Sequence, residues 1–136
     1  MKEAVNTLQL IFTAIGGYIG YFLGGFDGLI YALVAFVVID YITGLMAAVI
    51  EKKLSSDIGF RGIFKKVLIF TLVGIGHIID FHLIEKGSAV RTAVIFFYLS
   101  NEGLSIIENT SRVGLPIPEK LQTVFTELKR EDGKNG

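Results

Sequence analysis

The sequence predicts an all-α integral membrane protein: a small bundle of four transmembrane helices with an ordered basic cytoplasmic loop and a charged C-terminal tail. Three observations carry that prediction. Of the 136 residues, 51% are hydrophobic and 19% charged, below the roughly 25% charged of an ordinary soluble domain, and mean hydropathy is +0.59. The apolar residues gather into runs close to the ~20 residues that a spanning helix needs. Lysine and arginine gather as well, on alternate connections between those runs.

The first run extends from about residue 4 to 24, polar at its start (Asn6, Thr7, Gln9) and glycine-rich afterwards. Gly16, Gly20 and Gly24 recur every fourth residue on one helix face, a spacing that lets two backbones approach closely. That face can serve self-association or pack against another helix of the same chain. The N-terminus has a weak charged region and no small-x-small cleavage site, so no removable signal peptide is expected. After a turn at Gly25-Phe-Asp27, the second run covers about 28 to 50, where Gly44 and Ala48 form a weaker version of the small-residue spacing.

The segment from Glu51 to Lys66 breaks the apolar pattern. It carries Lys52, Lys53, Arg61, Lys65 and Lys66 against Glu51 and Asp57, an excess that holds it on the cytoplasmic side. Ser55 or Ser56 can cap a helix start, with Asp57 in its first turn. Leu54, Ile58, Phe60, Ile63 and Phe64 interleave with the basic residues, as in a segment lying on lipid headgroups. A helix leading directly into the third run is the alternative.

The third run covers about 66 to 84, Glu85-Lys-Gly-Ser88 turns the chain back, and the fourth run covers about 89 to 107. A three-span chain, with the first or fourth segment lying in the interface, is the rival topology. The transmembrane region is then 1–112 and the polar tail 113–136. Pro116 and Pro118 interrupt regular helix; Glu119 to Lys129 restarts it, with Leu121, Val124, Phe125 and Leu128 at helical spacing. An even number of spans puts Lys2, the basic loop, Arg112, Lys120, Lys129, Arg130 and Lys134 on one side, against Lys86 in the opposite turns. Both termini are therefore expected in the cytoplasm.

Ionisable groups inside the runs are the candidate functional residues. Burying a carboxylate in hydrocarbon costs roughly 2.5–3.5 kcal/mol on insertion scales, so such positions serve packing, assembly or conduction. Counting depth at about 1.5 Å per residue puts Asp40 midway along the second run and His77 midway along the third. Asp80 and Arg91 share an outer depth and are expected to pair, while Asp40 faces His77, a neighbouring protomer or water. Asn101 and Glu102 fall in the cytoplasmic half of the fourth run, with Glu102 placed to face Thr71. These groups either satisfy one another inside the bundle or line a polar interface exposed when subunits rearrange.

Signals for catalysis are poor. His77 and His82 lie five apart without clustered partners, so no metal site is expected. Ser55-Ser56 lacks a nearby base, and no phosphate-cradling glycine loop follows a strand. No catalytic residue, cofactor or enzymatic activity is expected. The absence of cysteine excludes a disulfide framework and thiolate ligands, and a formal net charge of +0 provides no field to recruit nucleic acid.

The run Asp40-x-x-x-Gly44-x-x-x-Ala48, then Lys53-Leu-Ser-Ser56, Gly59, Gly62 and Lys65-Lys66, with Asp80 late in the next apolar segment, resembles the phage-lysis and toxin-secretion holin family. So do Glu102-Gly-Leu-Ser105-Ile-Ile-Glu-Asn109 and the exit Gly114-Leu-Pro116-Ile-Pro118-Glu-Lys-Leu121. The resemblance, to holins of the clostridial toxin-locus type, covers about residues 35 to 122 and the first span poorly. It implies a bacteriophage holin that accumulates in the bacterial cytoplasmic membrane, assembles from many copies, and opens lesions releasing an endolysin or a large toxin to the wall. Its partners are then itself and the bilayer, and the exported protein need not touch it. The residues alone leave two alternatives: a small ion channel or transporter with a proton path through Asp40, His77 and Asp80, or a structural membrane protein without pore activity.

Overall fold

The computed structural model describes residues 1–135, with side-chain surroundings described as far as Arg130; Gly136 and the side chains of 131–136, Lys134 among them, lie outside the described residues. Five helices follow in order: α1 Lys2–Leu23, α2 Gly28–Ile50, α3 Ser56–Ile78 continued by a π-helical segment Ile79–Ile84, α4 Ala89–Val113 and α5 Glu119–Asn135.

Each boundary has a local cause. Gly24 ends α1 in the left-handed conformation (φ 85°), which glycine adopts without steric cost. Asp27 starts α2 by accepting a hydrogen bond from the Ile30 N–H at 3.0 Å, and Ser55 does the same for α3 from the Ile58 N–H at 3.2 Å. The basic segment is therefore the opening of α3, leading directly into the apolar run, rather than a separate helix on the headgroups. Asp57 in its first turn lies 3.3 Å from Arg61. Gly114, at φ 105°, ends α4 before the proline-rich exit.

Helices α2, α3 and α4 pack on one another around Ile30, Leu33, Val37, Ile69, Val73, Ile95 and Leu99, joined by Leu23 from the end of α1. The buried positions recur at intervals of three, four or seven residues: Ile69, Val73, Gly76 and Asp80 on α3, and Leu33, Val37, Asp40 and Ala47 on α2. On α4 they are Arg91, Ile95, Leu99, Glu102 and Asn109. This is the spacing of a helix–helix seam, and ionisable residues occupy seam positions on all three helices. At Gly76 a Cβ would lie 3.1 Å from the Arg91 Cα, so α3 and the start of α4 are nearly in backbone contact there.

By length and composition, two helices among the described residues can cross a membrane: Gly28–Ile50 and Ser56–Ile84. Only 28% of the apolar window of each is buried, so most of their large side chains point away from the seam, as in a protein solvated by lipid. These two helices are long and apolar enough to cross a membrane; α1 and α4 do not reach the same apolarity. Nor is α1 a full member of the bundle. It touches α3 through its last turns, where Gly20 and Leu23 are buried, while residues 1–15 are exposed.

The tail helix does not stand apart. It returns against α4, with Phe125 in the notch at Gly103, where a Cβ would lie 2.6 Å from the ring. The same ring meets Phe36 of α2 edge-on, with centroids 5.6 Å apart. Leu121 and Val124 stay exposed.

Candidate functional site

A charged cluster lies on the seam where α2, α3 and α4 meet. The Lys66 ammonium, from α3, lies 2.6 Å from Asp40 Oδ2 on α2 and 2.9 Å from Glu102 Oε2 on α4. These side chains are 15%, 11% and 9% exposed, so all three charges are largely desolvated. Asn109 completes the cluster, its Nδ2 donating to Asp40 Oδ1 at 2.9 Å, to the Asp40 carbonyl at 3.2 Å and to Thr43 Oγ1 at 3.1 Å. Gly44 faces this amide, where an added Cβ would lie 3.5 Å from Asn109 Nδ2, an ordinary contact. One ammonium serves two carboxylates, so the cluster holds together only while all three helices are in register.

The same end of the seam is closed outside the apolar segments by Arg112 and Glu51. Two parallel hydrogen bonds of 2.6 and 3.1 Å join them, the fork geometry that arginine forms with carboxylates. Arg112 thereby holds the Glu51 carboxyl below its ordinary value, and Glu51 raises the guanidinium in return. Tyr41 supplies a further tie, its hydroxyl donating to the Gly59 carbonyl at 3.3 Å, while its ring lies where a Cβ on Gly62 would come within 3.1 Å.

A second constellation lies at the opposite end. Arg91 is 4% exposed and donates from Nε to the Leu23 carbonyl at 2.6 Å, from Nη2 to the Gly25 carbonyl at 3.1 Å, and from Nη1 to Asp27 Oδ2 at 2.8 Å. It pins the α1–α2 turn onto α4 and lowers the Asp27 carboxyl below its usual range. Asp80, in the π-helical segment, accepts from the backbone N–H groups of Val90 (3.0 Å) and Arg91 (2.8 Å). It therefore caps the start of α4, where unpaired N–H groups favour an anion.

Several expected partnerships take a different form. Asp80 does meet Arg91, but through its backbone N–H; the guanidinium goes to Asp27. His77 does not face Asp40. It lies beside Arg91 against the α1 end, where a Cβ on Gly24 would fall 2.7 Å from its Nδ1, with its ring 5.7 Å from that of Phe81. Glu102 binds Lys66 rather than Thr71, whose hydroxyl donates to the Val67 carbonyl. Lys66, counted with the basic loop, is a seam residue; Lys52, Lys53, Arg61 and Lys65 are exposed.

Asn101 lines the cleft beside the cluster, and Ala48 is buried on α2. The α1 glycines do not form one helix-packing stripe within the chain. Gly24 lies past the helix end, Gly20 abuts Phe26, and Gly16 has nothing within 4 Å of an added Cβ. On α3, close approaches occur at Gly74, against Phe22, and at Gly76, against the start of α4.

Sequence reasoning passes over Asn109, Asp27 and the Glu51–Arg112 pair as site members, and places Lys66 in the basic loop rather than on the seam. A signal exists for two of them: Lys66 continues the Ile69–Val73–Gly76–Asp80 spacing one step back, and Asn109 lies two turns beyond Glu102 on the same face.

Comparison with known proteins agrees with the sequence resemblance. A sequence model of the bacteriophage holin family, a non-enzymatic membrane-pore family, matches residues 17–130. An uncharacterised protein of Listeria monocytogenes is 43% identical over 120 residues, 88% of this chain and 85% of its own length. An uncharacterised 14.9 kDa protein of Clostridium perfringens, in the nagH 3' region, is 34% identical over 96% of this chain and 99% of its own. An uncharacterised protein of Bacillus subtilis is 37% identical over 76% of this chain and 74% of its own. No solved structure matches. The chain belongs to the bacteriophage holin family.

Proposed function

We propose that the protein acts as a holin, accumulating and oligomerising in the bacterial cytoplasmic membrane until it opens lesions through which an endolysin, or an exported toxin, reaches the cell wall. In this reading α1 and α4 join α2 and α3 as spans, and both termini lie in the cytoplasm, on the side carrying most lysine and arginine. The exported protein crosses the lesion without a dedicated binding surface.

The observation that carries the mechanism is the Lys66 ammonium held between Asp40 and Glu102 on the seam. Parting the three helices in lipid would leave each charge without its partner, at on the order of 3 kcal/mol per group. The seam therefore stays shut in an isolated copy. Where many copies crowd together, their seam faces can turn toward a shared water-filled space, in which those charges are solvated and become the lesion wall. One bundle is too thin to conduct a folded protein, so the wall needs many copies. The exposed part of α1, with Gly16 open and Asn6 and Gln9 unburied, is the proposed surface between them, since amides and glycines on a lipid-facing helix favour helix association.

A proton path through Asp40, His77 and Asp80 has less support, because Asp40 and Asp80 each hold a separate helix contact and His77 lies with Arg91. Inducing the gene in a bacterium with and without a cytoplasmic endolysin tests the proposal, with membrane potential and turbidity followed together. The expected result is abrupt loss of potential in both strains and a fall in turbidity only with the endolysin. Ion-selective flux without killing, or neither flux nor killing, would overturn it.

A further inference from the structure

Beside the charged cluster, α2, α3 and α4 do not close on one another. They leave an open cleft of about 920 Å³ at the end of the seam marked by Lys53. Its charged lining comprises Lys53, Lys65, Lys66 and Arg112 against Asp40 and Glu102. Lys66 is neutralised by the two carboxylates, and Arg112 by Glu51. Lys53 has only a 3.7 Å contact with Glu51. Among the described residues Lys65 has no carboxylate within 4 Å. The mouth of the cleft thus carries an excess of positive charge.

The cleft does not end in the seam. Between α3 and α4 lies an apolar groove of about 350 Å³, whose walls include Ile75, Ile79, Ala93 and Phe97. Leu72 and Tyr98 border both spaces, so basic cleft and apolar groove adjoin end to end along α3 as a two-part passage. From Lys66 to Ile79 the passage follows about 20 Å of helix at ~1.5 Å per residue, which spans the ~15 Å hydrocarbon depth of a single leaflet.

A basic mouth opening into an apolar groove of that length has the chemistry of one molecule type: an amphiphile with an anionic head. We propose that this passage binds an anionic phospholipid of the adjoining leaflet, with its phosphate at Lys53 and Lys65 and an acyl chain in the α3–α4 groove. A free phosphate would use only the mouth and leave the apolar half without an occupant. A lipid seated there touches both helices that bear Lys66 and Glu102, so it is positioned to bias whether the seam stays closed.

The test uses the full chain purified in detergent, with native mass spectrometry reading retained lipid. Phosphatidylglycerol and phosphatidylcholine with the same acyl chains are titrated separately, and inorganic phosphate is added as competitor. The unaltered protein should retain phosphatidylglycerol preferentially and should keep it against inorganic phosphate. A Lys53→Gln/Lys65→Gln variant, altering two exposed side chains, should lose roughly 25-fold of that preference, at about fivefold per basic residue. Ala93→Trp, which fills the groove from an exposed position, should weaken both lipids without changing the preference. Equal retention of the two lipids by the unaltered protein, an undiminished preference in the double lysine variant, or complete displacement by inorganic phosphate would overturn the proposal. None of these outcomes depends on lesion formation.

Discussion

The ammonium of Lys66 lies 2.6 Å from the carboxylate of Asp40, tying the basic first half of α3 to the middle of an apolar helix. The same nitrogen reaches Glu102, so a single lysine joins three helices. A desolvated cation with two anions is costly to assemble and far costlier to leave incomplete.

Replacing Lys66 by Met leaves Asp40 and Glu102 adjacent, buried and without a cation. Chemical unfolding in detergent should show a loss of about 3–5 kcal/mol. Adding Asp40→Asn and Glu102→Gln to the same protein should recover most of it, because the penalty comes from unpaired charge rather than from lost packing. A single variant as stable as the parent would contradict the cluster.

Arg91 makes its bonds as a fork, with three nitrogens reaching two carbonyls and Asp27. Arg91→Lys keeps the charge but supplies one compact donor group, and it leaves a buried carbonyl unpaired. The expected cost is about 2–3 kcal/mol, read as a lowered unfolding midpoint with an unchanged slope.

The docking of α5 rests on the Phe125 ring at Gly103. Gly103→Val should push the ring out and free the tail helix while leaving the seam intact. Limited trypsin treatment should then cut at Lys129 and Arg130 roughly tenfold faster, equivalent to ~1.4 kcal/mol of docking energy. Phe125→Ala should reproduce the effect, and equal cleavage rates would show that α5 is held elsewhere.

Asp27 provides a pH dependence of known sign. Its hydrogen bond to Arg91 lowers its carboxyl below the ordinary 3.8, so the folded value lies under the unfolded one. The stabilisation is fully present above the unfolded value and is lost as pH falls through the folded value. Thermal midpoints in detergent should be flat above about pH 5 and decline below about pH 4. Asp27→Asn should lower the plateau and make the acid limb shallower; an identical acid limb in the variant would exclude this pair as its source.

Much of the architecture was legible in the residues. Length and apolarity delimit α2, Ser55 and Asp57 announce the start of α3, and Pro116 with Pro118 separates α4 from α5. Asp40, Asp80, Arg91 and Glu102 stand out because an ionisable residue in an apolar run demands a partner. Their partners were harder to read. Depth counting treats helices as parallel rods of equal height, so it pairs residues by level and ignores rotation about the axis. It therefore sets Asp40 against His77, whereas Asp40 shares its seam with Lys66, Glu102 and Asn109. Charge counting likewise assigns Lys66 to the loop, because a sum over a segment does not record which face a side chain occupies.

The sequence by itself determined that this chain is helical, apolar enough to be a membrane protein, related to bacteriophage holins, and obliged to bury several charges. Helicity, apolarity and buried charge follow from composition and spacing along one dimension, and the kinship from the match of its motifs to the family. Only the tertiary structure decided which charges meet, that Asp80 caps α4 while Arg91 turns to Asp27, and that α1 stands largely outside the core. These outcomes depend on the mutual rotation and axial offset of packed helices, where a shift of one residue turns a side chain by about 100° and exchanges every partner.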